Sequence, residues 1–209
     1  MQYYKTVKEY AREEIIIKKS RFIASVKPVE KEEDAENFIN GIKKEFHDAA
    51  HNVFAYRMGS GGEFEKHHDD GEPGGTAGKP ILEVIKNEAL NDLVVVVTRY
   101  FGGIYLGAGG LVRAYSKAAQ AGIKKAGIGK KFLFTQVEII IDYSAWGKLQ
   151  NELKKISAVI LDTHYSSVVS LETLILPDKL DYMKGLVSEL TGGTGVVNEL
   201  CEMYHVTEG

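Results

Sequence analysis

The chain has 209 residues, of which 44% are apolar and 26% charged, and a net charge of −3 at neutral pH. This composition excludes a disordered or collagen-like chain and suits one large domain or two small ones, each able to bury a core. A single cysteine, Cys201, excludes an intrachain disulfide and any multi-thiolate zinc site and fits a reduced compartment.

The N-terminal stretch MQYYKTVKEYAREE has no signal-peptide core, and no apolar run approaches the about eighteen residues of a membrane span, so a cytoplasmic protein with no membrane partner is expected. EEIIIKKSRFIASVKPV reads as a hairpin turning at Lys18 to Ser20. From Glu30 to Phe46, apolar Ala35, Phe38, Ile39, Ile42 and Phe46 recur every three or four residues, one face of a helix that covers a sheet. HNVFAYRMG is a strand ended by GSGG, and EFEKHH a short return strand.

Next comes DDGEPGGTAGKP, three carboxylates, four glycines and two prolines in twelve residues, which is neither an amphipathic helix nor an ordinary strand. Pro80 is placed as the first residue of a helix of about three turns that includes Ala89 and Leu90. Val94 to Val97 form a run expected of a central strand buried on both faces. GGIYLGAGG breaks the pattern, and LVRAYSKAAQAGIKKAG restarts it as a helix whose small residues allow close approach to the sheet.

Beyond a boundary near Lys131 to Thr135, the predicted order is strand (132 to 142), helix, strand (158 to 165), strand (168 to 175), helix (178 to 190), strand (195 to 206). Strand, helix, strand, strand, helix, strand is the ferredoxin-like pattern. The expected domains are therefore residues 1–133 and 134–209. Charge divides too: residues 1–134 carry 21 basic against 18 acidic residues, and residues 135–209 carry 5 against 11. The excess of +3 permits RNA binding without requiring it.

Two glycine-rich turns, Gly71 to Gly78 and Gly102 to Gly110, each lead into a helix. Such a turn presents unpaired N–H groups and the positive end of the helix dipole, a geometry that binds anions. Arg99 before the second turn and Arg113 after it are candidates for bidentate phosphate contacts. The other reading is that the glycines serve only backbone conformation and packing. GIYLGAGG lacks the Gly-Lys-Ser/Thr ending of a P-loop and the spacing of a dinucleotide fingerprint, so no cofactor is assigned.

Asp69, Asp70 and Glu72 are candidates for magnesium held through a phosphate, with Thr76 as hydroxyl ligand or helix cap; alternatively they cap N–H groups around turns set by Gly71, Pro73 and Gly78. His67 and His68 are adjacent on a strand and point to opposite faces, so the sequence assigns no metal. Cys201 reads as a buried, inert thiol, since His205 four strand positions on lies about 13 Å away. His51 is the best lone candidate for a proton-transfer or hydrogen-bonding role.

Taken together, DAAHNVFAYR, DDGEPGGTAGKPI and VVVVTRYFGGIYLGAGGLVRAYSKAA resemble the hallmark segments of the YigZ/IMPACT family, in order and over nearly the whole chain. The resemblance implies an α+β protein of two domains. The N-terminal one is an α/β sandwich like the second domain of a small-subunit ribosomal protein and domain IV of elongation factor G. The C-terminal one is ferredoxin-like, βαββαβ, similar to domain V of that factor. Eukaryotic relatives regulate translation initiation under amino-acid starvation by competing for the co-activator of a kinase. Nothing here matches their additional RWD domain, so that partner is not carried over. Gly74 stands where many relatives have serine, which weakens any role needing a hydroxyl there.

The leading expectation is a cytoplasmic RNA- or ribosome-associated binding protein acting in regulation of translation, with an anion-binding surface made by His51, Arg57, Arg99, Gly102, Gly103, Gly109, Gly110 and Arg113. The alternative is a magnesium-dependent enzyme or binder acting on a phosphorylated small molecule or nucleotide. A third is a protein adaptor using the acidic C-terminal domain. The family supplies no catalytic mechanism.

Overall fold

The computed structural model describes residues 2–207, and these divide into two compact units, residues 4–130 and residues 2–3 with 131–207.

In the first unit, β2 (Ala11–Ile17) and β3 (Ser20–Pro28) form the expected hairpin. Its two-residue turn places Lys18 and Lys19 at φ 45° and 66°, the left-handed pair of a type I′ turn, with Ser20 already in the strand. β6 (Leu93–Tyr100) lies between β3 and β4 (His51–Met58), and β5 (Phe64–His68) closes an antiparallel sheet of order β2-β3-β6-β4-β5.

The valine run lies in the middle of that sheet and is buried on both faces. Val94 and Val96 pack with Ala35, Ile39 and Ile42 of α1 (Glu32–Glu45), while Val95 and Val97 join the core under α2 (Gly78–Asn87) and α3 (Ala108–Ala126). In an antiparallel sheet such a run is required only because helices cover both sides. α3 lies close against the sheet: a Cβ on Gly122 would stand 2.8 Å from Ala24 Cβ and from Val26 Cγ2.

In this unit, four helix ends stand out as different from the expectations. α1 starts at Glu32 rather than Glu30. α2 begins at Gly78, so Pro80 is its third residue, still within the turn whose N–H groups have no intrahelical acceptor. It ends at Asn87; Ala89, at φ 53°, turns the chain and leaves Leu90 buried outside the helix. α3 begins at Ala108, three residues before the expected start, because Gly107 (φ 69°, ψ 164°) already makes the N-terminal bend.

The second unit follows the ferredoxin-like order: β7 (Ile128–Ile141), α4 (Tyr143–Lys155), β8 (Val159–Tyr165), β9 (Val169–Ile175), α5 (Leu180–Thr191) and β10 (Val196–Thr207). The strands run β10-β7-β9-β8. β1 (Tyr3–Val7), which the sequence does not announce, lies almost wholly in the first unit, where Val7 is buried in the core. Val137, Ile139 and Ile141 of β7 alternate onto the face covered by Leu149 and Leu153 of α4 and Met183 and Val187 of α5. Gln136 is on the other face. Cys201, expected to be buried, is exposed there, its Sγ donating to Gln136 Oε1 at 3.3 Å. Among the described residues no helix is long and apolar enough to cross a membrane.

Candidate functional site

The carboxylates of the Asp69–Pro80 stretch take three separate sets of partners. Asp69 Oδ1 accepts the N–H groups of Ala77 (3.1 Å) and Gly78 (2.8 Å), and its Oδ2 that of Gly75 (2.8 Å). It therefore caps α2 from well upstream, a task done locally in most helices. Burial alone would raise its pKa, but these N–H groups outweigh burial and hold the carboxyl below its ordinary range. Thr76, read as metal ligand or cap, donates its hydroxyl to Pro73 O at 2.6 Å and so closes the turn.

Asp70, at φ 47°, binds Lys43 Nζ at 2.8 Å and accepts the Asn52 N–H at 2.7 Å. Burial is again outweighed, first by Lys43 and then by Asn52, so this carboxyl also lies low. The Asp70 carbonyl oxygen meets His51 Nδ1 at 2.8 Å, with Gly71 (φ 89°) against the same ring.

Glu72 turns inward, with only 3% of its side chain exposed. Its Oε1 accepts Arg99 Nη1 at 2.6 Å and the Tyr115 hydroxyl at 2.7 Å, and His51 Nε2 stands 3.8 Å away. Burial, then the Glu72 charge, pushes the Tyr115 hydroxyl pKa far up, which keeps it a donor. The Arg99 guanidinium carbon lies over the rings of Phe22 (5.5 Å) and Phe101 (5.6 Å), two cation–π contacts. The three carboxylates thus do not converge, and among the described residues no three His, Cys, Asp or Glu side chains are placed to hold a metal ion. A magnesium site built from Asp69, Asp70 and Glu72 does not fit this arrangement.

Beside this cluster is a cavity of about 460 Å³. His51, Glu72 and Arg99 give its polar lining and Phe101, Leu106 and Leu111 much of its apolar lining; Gly71, Pro73, Gly107 and Ala108 bring both glycine turns to it. Tyr105 also lines it, 87% exposed, its ring 5.2 Å from that of Phe101.

Gly102 must be glycine for space, since a Cβ would fall 2.0 Å from the backbone carbon of Lys19; its N–H donates to Ser20 Oγ at 3.1 Å. Gly103 follows at φ 81°. Gly109 and Gly110 lie in the first turn of α3 and not in the loop before it, because the first intrahelical bond runs from the Leu111 N–H to Gly107 O (2.9 Å). The N–H groups of Ala108, Gly109 and Gly110 have no intrahelical acceptor, and no side chain among the described residues caps them.

Arg57 is not part of this cluster. It pairs with Leu93 in the sheet register while His51 pairs with Arg99, so it lies six residues, about 20 Å, along β4. Its guanidinium donates to Gly61 O (3.0 Å) and Leu90 O (3.3 Å), fastening the Gly59–Gly62 loop.

Arg113, by contrast, is exposed and lines a smaller hollow with Lys18 and Lys117; none of the three has an ion-pair partner among the described residues. α3 contains no acidic residue, and exposed Arg113, Lys117, Gln120 and Lys124 follow one another at four, three and four positions, a single stripe. Sequence reasoning missed Tyr115, Tyr105, Lys18 and Lys117. Two aromatics within a glycine-rich loop were the available signal, since a loop offers them no core.

Residues 18–123 match the model of the Impact N-terminal domain, and residues 139–194 match a domain of unknown function, DUF1949. The chain is 43% identical over 196 residues to IMPACT family member YvyE of Bacillus subtilis, covering 94% of this chain and 90% of that protein. It is 29% identical over 180 residues to IMPACT family member YigZ of Escherichia coli, covering 85% and 88%. A solved crystal structure of a hypothetical protein superposes with TM-score 0.65 at 26% identity, over 96% of this chain and 98% of that one. With one family model spanning its first unit and relatives alike along almost its full length, the chain belongs to the IMPACT family.

Proposed function

We propose that this protein is a cytoplasmic RNA- or ribosome-associated binding protein that acts on translation through its first unit. The observation that carries the reading is the basic stripe of Arg113, Lys117 and Lys124, unpaired among the described residues, with Lys18 beside it, next to the exposed Phe101–Tyr105 pair. Cations in a line attract a phosphate backbone without reading sequence, and exposed rings stack on unpaired bases. Arg99 is not among these cations, because Glu72 neutralises it. The resemblance to eukaryotic translation regulators supplies the setting.

Co-sedimentation of the purified protein with ribosomes and their subunits across a salt series tests this reading. Binding that weakens with salt and with Arg113→Ala or Lys117→Ala is the expected result; no binding even at low salt would overturn it.

A further inference from the structure

The cavity beside Glu72 contains buried polar groups whose hydrogen bonding is incomplete. Arg99 is 6% exposed, and its Nε has no partner, although Nη1 is taken by Glu72. Both donors to Glu72 reach Oε1, and Oε2 accepts no hydrogen bond among the described residues. Arg99 Nη2 likewise has no partner among the described residues, and unlike the sealed Nε, both Nη2 and Glu72 Oε2 remain open, so a donor and an acceptor on residues nine-tenths or more buried stand unanswered in one cavity. Their chemistry narrows what completes them. An inorganic anion offers acceptors alone and meets the Glu72 charge, whereas a simple cation leaves Arg99 and the end of α3 unanswered. The edge of a nucleobase, with N–H donors and ring or carbonyl acceptors side by side, answers both.

The rest of the cavity fits the remainder of a nucleotide. Its volume of about 460 Å³ lies within the range of small-ligand sites. Phe101 and Tyr105 offer aromatic surface. The uncapped N-terminus of α3 lines the same cavity at Gly107 and Ala108 and presents three N–H groups to a phosphate. Arg113 Nη1 is beside that first turn, 3.8 Å from where a Cβ of Gly109 would stand.

We propose that this cavity binds one nucleotide, with its base edge on Glu72 and Arg99, its ring against Phe101 and Tyr105, and its phosphate on the N–H groups of Ala108, Gly109 and Gly110. This deepens the RNA reading and rests on it only for the source of the nucleotide, which is either an unpaired residue of RNA or a free mononucleotide.

Calorimetric titration of the full chain with the four 5′-mononucleotides, the matching nucleosides and inorganic phosphate tests it. At least one mononucleotide is expected to bind at a single site, with its nucleoside and inorganic phosphate each about tenfold weaker or more. Tyr105→Ala, at an exposed position, should weaken the mononucleotide about tenfold. Ala108→Pro deletes one N–H at a first helical position that tolerates proline; it should weaken the mononucleotide about tenfold and leave the nucleoside unchanged.

Displacement of the mononucleotide by a short single-stranded RNA identifies RNA as the source, and failure of RNA to displace it identifies the free mononucleotide. Absence of mononucleotide binding by the folded protein overturns the proposal, as does a nucleoside that binds equally well, even if ribosomes co-sediment. Mononucleotide binding without ribosome binding overturns the RNA reading and leaves the cavity assignment standing.

Discussion

Glu72 and Arg99, 27 positions apart in the chain, meet in the interior with Arg99 Nη1 2.6 Å from Glu72 Oε1. The pair ties the Asp69–Pro80 loop to the central strand, and Tyr115 adds α3 through the same oxygen. Removing one partner leaves the other charge buried and alone, which costs about 3–5 kcal/mol. Glu72→Ala and Arg99→Ala should each lower stability by that order in urea unfolding, while Glu72→Leu with Arg99→Met should cost well under the sum of the corresponding single changes. Additive losses would mean that the two side chains are not coupled.

Asp69 is expected to link stability to pH. Its folded-state pKa lies below its unfolded one, so its contribution is full above about pH 5 and is lost as pH falls below about 4 toward the folded value. Asp69→Ala frees three N–H groups at the start of α2 and should cost about 1–3 kcal/mol at pH 7. The gap between wild type and variant should narrow on acidification. A gap that stays constant down to about pH 3 would remove Asp69 from the linkage.

The glycines divide into those that packing requires and those it does not. Gly122→Ala places a methyl 2.8 Å from Ala24 Cβ and Val26 Cγ2 and should cost about 1–3 kcal/mol in thermal or urea unfolding. A Cβ at Gly74 meets nothing within 4 Å, so Gly74→Ser should change stability by no more than about 0.5 kcal/mol.

Arg113→Ala and Lys117→Ala change exposed side chains without ion-pair partners among the described residues and should leave stability within about 0.5 kcal/mol. On the RNA reading, each should reduce the slope of log affinity against log salt by about one, measured by fluorescence titration with single-stranded RNA. An unchanged slope would place the RNA contact elsewhere.

The hairpin, the doubly buried valine strand and the βαββαβ order were legible because each is written in a local period of apolar residues. β1 was not, since YYKTV is five residues long and is held by contacts far off in sequence: Lys5 O accepts the Asn91 N–H at 2.9 Å, and Val7 is buried in the core. The exposure of Cys201 was not legible either. Alternation shows that a strand has two faces, but not that α4 and α5 cover only the one opposite Gln136.

The two glycine-rich stretches pointed to the candidate site by composition alone, and His51, Arg99 and the start of α3 were singled out by position. The role of each side chain within it was decided by the tertiary structure. Arg99 is held against the rings of Phe22 and Phe101 and neutralised by Glu72, whereas Arg113, fourteen residues on, remains exposed. The two arginines look alike in the sequence because charge and propensity are properties of the residue. Pairing and burial belong to the neighbours, and those neighbours arrive from β3, the Asp69–Pro80 loop and α3 only when the sheet closes.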